Sequence, residues 1–230
     1  CTMQGEVWHV DGFAFRQPDH ESQPPTARWR KIASGLHQPL GLKIIDDQIY
    51  VQCRDQLMEL IDQNQDLEID YYRCVNNAFV TSPAGHDYIC GLQADAEGNF
   101  YTASGNQGLL KLSPDGQSAE VLATGFRNPD GLGRLPDGTL TVPCSEGDWT
   151  PASMVCAVRP NQSGTPHFGY QGPRNGQPPQ LPWYYLPRGL DNSSAEQIWC
   201  DSPNWGPASQ HPIHLSFGMG RTFYVLPDSQ

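Results

Sequence analysis

Helical periodicity is nearly absent from this 230-residue chain, which argues against bundles and helical repeats. No apolar run approaches the roughly 20 residues a membrane helix needs, so no membrane insertion is expected. Positive charge is scarce as well. Fourteen Lys and Arg face 25 Asp and Glu, a formal charge of −11, which repels nucleic acid and anionic lipid and leaves a small or neutral partner as the expectation. None of the seven cysteines stands in CxxC or CxxCH spacing, which argues against a zinc knuckle or covalent haem within this segment. Their scattered positions fit either buried small hydrophobes or long-range disulfides of an exported protein.

What is abundant is chain punctuation: 23 Gly and 21 Pro suit many short strands. The stretch from Gly85 to Leu140 holds two copies of one phrase, an apolar approach, an Asp-Gly turn and an alternating strand. In the first copy Leu92 leads to the turn Asp95–Gly98 and the strand Phe100, Tyr101, Thr102. In the second, Leu132 leads to Pro136, Asp137, Gly138 and the strand Thr139 to Val142. Such turns demand positive φ, which Gly supplies, and they signal hairpins. An earlier copy runs from Gly35 through Pro39, Gly41 and Asp46-Asp47 to Ile49-Tyr50-Val51, with Leu57 to Ile61 as the next strand. The corresponding glycines 41, 91 and 131 lie 50 and 40 residues apart, the period of four-stranded propeller blades. The expected fold is all-β, a single β-propeller domain over 1–230 made of four-stranded antiparallel blades. Six blades are expected, with part of the ring outside this chain; a closed five-bladed ring is the competitor. The chain begins at Cys1, so either a signal segment has been removed or this is a slice of a longer protein. A slice is favoured by Phe223 to Leu226, which reads as a strand entering a turn at Pro227-Asp228. Between 160 and 211 the rhythm lapses into a Gly, Pro and aromatic-rich loop region, a form that often shapes a binding face.

Three groups of residues could carry chemistry. His86 precedes a strand in a loop able to open toward a propeller's channel, where an imidazole can take a hydroxyl proton; a capping histidine in a Gly-His turn would look the same. Arg127, Asn128 and Asp130 occupy the equivalent loop of the next blade, where a guanidinium, an amide and a carboxylate could bind a polar ligand or simply staple two blades. Asp62, Asn64, Asp66 and Asp70 present oxygens at alternate positions and then at the ninth, a spacing that folds around a hard cation such as calcium. Its sixth position is Leu67 rather than Gly, and Arg73 stands where an EF-hand ends in Glu. A solvated acidic turn is the alternative. Glu146 and Asp148 could line the same face as Arg127. His167, Tyr170, Trp183, Tyr184 and Trp205 are the aromatics expected near a sugar, although aromatics between blades are also normal core.

Gly85-His86-Asp87 followed by Gly91-Leu92, Asp95, Gly98, Phe100-Tyr101 and Gly105 resembles the catalytic-histidine blade of the soluble glucose and sorbosone dehydrogenases that use pyrroloquinoline quinone (PQQ). Gly125-Phe126-Arg127-Asn128-Pro129-Asp130-Gly131-Leu132 resembles their Gly-x-Arg-Asn-Pro-Gln-Gly-Leu loop, and His167-Phe168-Gly169-Tyr170 weakly resembles a later Asn-Tyr-Gly-Trp loop. Other phrases, such as Glu146 to Pro151 and Trp205-Gly206-Pro207, are similar to a bacterial exported branch often fused to a c-type haem module. The resemblance implies that His86 takes a proton from a sugar hydroxyl while hydride passes to the quinone. It implies that Arg127 and Asn128 polarise the quinone oxygens, and that a calcium acts as Lewis acid on the same carbonyl. It further implies an exported protein, periplasmic or extracellular, with a c-type cytochrome as electron acceptor. Asp130 stands where that family has Gln, and a carboxylate there would repel a tricarboxylate cofactor unless protonated or metal-bound.

Three functions are therefore weighed: a quinone-dependent sugar or aldehyde dehydrogenase, a non-catalytic carbohydrate-binding or scaffolding propeller, and, with no confident ligand set, a metal-dependent lactonase. Fold alone does not decide among them.

Overall fold

The computed structural model describes residues 1–12, 26–82 and 88–226. Its strands run in short antiparallel meanders, each sheet built from consecutive strands, as the Asp-Gly turns require. The first complete blade comprises β3 (Gly41–Ile45), β4 (Gln48–Gln52), β5 (Leu57–Ile61) and β6 (Tyr71–Asn76), following a two-stranded ribbon of β1 (Val7–Asp11) and β2 (Arg28–Ala33). The second blade is β7 (Ile89–Ala94), β8 (Phe100–Ser104), β9 (Gly108–Leu112) and β10 (Ala119–Ala123). The third is β11 (Gly133–Arg134), β12 (Leu140–Cys144), β13 (Ser153–Val158) and β14 (Tyr184–Leu186). A fourth sheet holds three strands among the described residues, β15 (Ser194–Cys200), β16 (His211–Ser216) and β17 (Arg221–Tyr224). The four blades are arranged as a β-propeller, in agreement with the expected fold.

The turns obey the chemistry that announced them. Asp46 and Asp47 close the β3–β4 hairpin with φ of 48° and 62°, both left-handed, as a two-residue turn matched to strand twist needs. In the β7–β8 turn the Asp95 carboxylate accepts from the backbone N–H groups of Glu97 and Asn99 at 3.1 and 2.8 Å and from the Tyr101 hydroxyl at 2.7 Å. These donors outweigh the cost of burial and hold the Asp95 carboxyl below the usual carboxylate range.

One correction concerns 160–211. This stretch is not one loop. It contains β14 and β15 and a short 3-10 turn at Pro203–Ala208. Tyr184-Tyr185-Leu186 pairs with β13, and Ser194–Cys200 buries Ser194, Gln197 and Cys200, a spacing of three that does not read as strand alternation. The cysteines are also settled: all seven are free, and Cys53, Cys90, Cys144, Cys156 and Cys200 are buried.

The blades meet at a ladder of glycines on the innermost strands. A Cβ on Gly41 would come within 2.8 Å of the Gly91 carbonyl carbon, one on Gly91 within 2.5 Å of the Leu132 nitrogen, and one on Gly131 within 2.5 Å of the Glu196 nitrogen. The glycines at the repeat period therefore mark backbone-to-backbone contact between successive blades. In the fourth blade the corresponding place belongs to Ala195-Glu196, where Asp130 and Ala195 form a parallel bridge.

Candidate functional site at the mouth of the axial channel

The loops that lead into β3 and β11 are built alike, atom for atom in several respects. Gly35 and Gly125 have φ of 80° and 86°, and Gln38 and Asn128 are both left-handed at 46° and 43°. Leu36 and Phe126 are buried behind them. The Arg54 nitrogen donates to the His37 carbonyl at 2.9 Å, and the Ser145 nitrogen donates to the Arg127 carbonyl at 2.9 Å. In each loop a buried thiol accepts from the backbone: Arg127 N–H donates to Cys144 Sγ at 2.9 Å, and His37 N–H donates to Cys53. Burial pushes both thiols up, Cys53 to about 12 and Cys144 to about 11, so each stays a neutral acceptor. The repeat thus assigns two cysteines a task that their spacing in sequence did not reveal.

On the first of these loops Arg54 Nη1 donates to Gln38 Oε1 at 2.9 Å and its Nη2 donates to the Ser82 carbonyl at 3.0 Å. Its guanidinium also lies 5.4 Å from the centroid of the Tyr88 ring. Arg54 therefore grips both flanks of the segment 83–87. His86 belongs to that segment and lies outside the described residues. On the second loop Arg127 Nη1 donates to the Glu146 carbonyl, and Glu146 in turn faces Arg188 at 3.4 Å. Asn128 and Asp130 follow Arg127 directly, and Asp130 bridges to the fourth blade. The loop before β3 meets β7 where Gly91 N–H donates to the Leu40 carbonyl at 3.1 Å, and the loop before β11 meets it where Gly91 packs against Gly131 and Leu132, so the two loops lie on either side of the start of β7.

On the inner strands β3 and β7 stand side chains that sequence reading missed. Gln93, on β7, donates its amide protons to the Leu132 carbonyl at 2.8 Å and to Glu196 Oε1 at 3.1 Å. Its own oxygen accepts from Lys43 Nζ, on β3, at 3.0 Å. Blades one, two and four are thereby linked past the third, whose inner positions are Gly131 and Gly133. Burial raises the Glu196 carboxyl above its usual range, while Lys43 and Gln93 pull the other way. The signal available in sequence was the position two residues after a ladder glycine, which holds Lys43 and Gln93.

The remaining candidates lie elsewhere. In the loop Asp62–Asp70, Asp62 Oδ1 accepts from Gln65 N–H at 2.7 Å, Asp62 Oδ2 from Leu67 N–H at 2.9 Å, Asp66 Oδ1 from Glu68 N–H at 2.8 Å and Asp70 Oδ2 from Gln63 N–H at 2.8 Å. Asn64 Oδ1 accepts from Asp66 N–H at 3.1 Å. These oxygens cap their own backbone, and no group of three His, Cys, Asp or Glu poised to hold a metal occurs among the described residues. Of the aromatics, His167 is tied to Thr124 and to the Gly172 carbonyl, whereas Trp205 is half exposed at the 3-10 turn. A shallow depression of about 410 Å³ lined by Gln162, Thr165, Phe168 and Gln180 shares no residue with the rim.

The rim residues do not fit a tricarboxylate quinone. Arg54, Arg127 and Arg188 each already serve a carbonyl, an amide oxygen or a carboxylate, and Asp55, Asp130, Glu146 and Asp148 stand on the same loops. A trianion would meet more negative than positive charge.

No family model matches the chain, and no curated protein matches it in sequence. Solved structures do match in fold. An oxidoreductase (glucose dehydrogenase) of Thermus thermophilus aligns with TM-score 0.67 at 17% identity, covering 88% of this chain and 72% of its own. A chain of a nidogen/laminin complex aligns at 0.61 and 12% identity, over 97% and 72%. The soluble aldose sugar dehydrogenase of Escherichia coli aligns at 0.53 and 12%, over 80% and 65%. At these identities the likeness is one of fold.

Proposed function

We propose that this chain is a dehydrogenase-type propeller that receives a sugar or similar small polyol at the axial mouth, with His86 as the base that takes a hydroxyl proton. What supports the reading is that Arg54 holds Ser82 and Tyr88, the described residues on either side of the segment bearing His86, and also bonds the loop before β3, which is built like the Arg127 loop. An imidazole titrates near neutrality and suits that proton transfer, and the carboxylates on the same loops can accept from sugar hydroxyls. Glucose and aldose dehydrogenases share the fold. PQQ and calcium are the groups the resemblance implies, with Arg127 and Asn128 as the residues that would meet the quinone oxygens. Because the rim's charge opposes that cofactor, no step is assigned to it. A c-type cytochrome partner and export from the cell belong to the same proposal.

The second reading is a non-catalytic propeller that holds carbohydrate or a protein partner. The acid-rich rim and the likeness to a chain of the nidogen/laminin complex favour it.

Titrating PQQ with calcium into the protein, followed by dye reduction with an aldose panel and a His86→Ala control, separates the two. Saturable binding with sugar-dependent reduction lost in His86→Ala establishes the dehydrogenase. Sugar binding without reduction leaves the binding propeller.

A further inference from the structure

The chain of side chains below the rim is a polar site in its own right. Lys43, Gln93 and Glu196 come from three blades, and the bond from Gln93 to Glu196 spans blades that are not neighbours in the ring. Such a reach is open only along the inner side, past Gly131 and Gly133, where the third blade offers no side chain. The amide of Gln93 is fully committed: both protons are donated and its oxygen faces Lys43. That commitment fixes the two ends. Lys43 spends one ammonium proton on Gln93 and Glu196 Oε1 receives one, so two ammonium protons and the Oε2 lone pairs have no other hydrogen-bond partner among the described residues. A donor and an acceptor of opposite charge, held apart by a rigid amide, match a ligand that both gives and takes hydrogen bonds. Hydroxyl groups do this, whereas an anion would be repelled by Glu196 and a cation by Lys43.

We infer that Lys43 and Glu196 form an axial subsite that binds hydroxyl groups of a neutral polyol, with Gln93 as the residue that positions both. The inference rests on the sugar-binding reading and names the contacts below the rim.

The test uses the full chain and two probes, glucose and glycerol. Binding of glucose is measured calorimetrically for wild type, Glu196→Gln, Lys43→Met and the outer-loop control Gln162→Ala, each checked for an unchanged circular dichroism spectrum. Glycerol is followed by carboxyl carbon NMR of glutamate-labelled protein, with Glu196→Gln supplying the assignment. The expected result is at least a tenfold loss of glucose affinity in Glu196→Gln, several-fold in Lys43→Met, none in the control, and a shift of the Glu196 carboxyl resonance with glycerol. Wild-type glucose binding matched within twofold by Glu196→Gln and Lys43→Met overturns the subsite and leaves the functional reading standing. A glycerol-dependent shift with no glucose binding supports the subsite and overturns the reading above it. Neither binding nor shift overturns both.

Discussion

Gln93 and Glu196 are joined by a 3.1 Å hydrogen bond although one blade lies between theirs. Removing this amide leaves the Leu132 carbonyl and the Glu196 carboxylate short of a donor, at a cost of about 1–3 kcal/mol for a buried group left unsatisfied. Gln93→Leu is therefore expected to lower Tm by a few degrees, since about 1 kcal/mol corresponds to roughly 2–4 °C in a chain of this length. A melting curve matching wild type would show that the bond carries no stability.

The glycine ladder predicts a steep position effect. Gly91 has φ of 72° and its added Cβ would meet the Leu132 nitrogen at 2.5 Å, so Gly91→Ala must push two blades apart. Gly164 also has positive φ, 78°, yet an added Cβ meets nothing within 4 Å. Gly164→Ala is expected to cost about 1 kcal/mol, the conformational penalty alone, whereas Gly91→Ala is expected to exceed the roughly 4–5 kcal/mol that marks an exceptional substitution or to prevent folding. Urea denaturation of the two variants measures the contrast. Equal midpoints would refute the ladder.

Acid stability is expected to depend on Asp191. Its buried carboxylate accepts from Ser194 and lies 3.4 Å from His214 Nε2; burial alone would raise it, but bonds from His214, Ser194 and Ser216 hold it down at about 2. Gln197 Nε2 stands 2.9 Å from His214 Nδ1 and 2.7 Å from the Ala195 carbonyl. Its two protons fit an accepting Nδ1, which puts the imidazole proton on Nε2, toward Asp191. A carboxyl depressed in the folded state contributes stability above its ordinary value near 4, and that contribution is lost as pH falls toward 2. Holding the carboxyl at about 2 instead of near 4 makes that loss about 2 kcal/mol. Denaturation midpoints taken at pH 6, 4 and 2.5 should fall less steeply at the acid end in Asp191→Asn than in wild type. Parallel curves would remove Asp191 from the account.

Leu67 holds φ of 66° in the acidic loop while 44% exposed. A left-handed leucine costs about 1–2 kcal/mol, and glycine's added chain entropy returns about 0.5–1 of that. Leu67→Gly is expected to stabilise the protein by up to about 1 kcal/mol, read as a higher urea denaturation midpoint. A destabilised variant would mean that the leucine side chain matters more than its backbone.

The blades were legible because their signals are local. Asp95 to Gly98 and Asp137-Gly138 carry the turn and its cap within a few residues, and the glycines at 41, 91 and 131 count out the period. The strand Ser194–Cys200 escaped because its inward positions are Ser194, Gln197 and Cys200, polar or small residues that satisfy one another only once His214 and Asp191 arrive from neighbouring segments. In the site, Arg127 and Asn128 announced themselves by their motif. Arg54 did not: its part depends on Ser82 and Tyr88, about 30 residues later in the chain. Glu196 was hidden more deeply, since nothing near it in sequence indicates that Gln93 lies within reach.

Because blade one contributes an ammonium and blade four a carboxylate, both bonded to the amide of Gln93, the inner strands carry opposite charges on opposite sides of that amide. A ligand entering from the rim would be turned as well as held, its hydroxyl dipoles aligned from Lys43 toward Glu196. Blades that share one antiparallel plan thereby acquire an interior with unlike sides, one basic and one acidic.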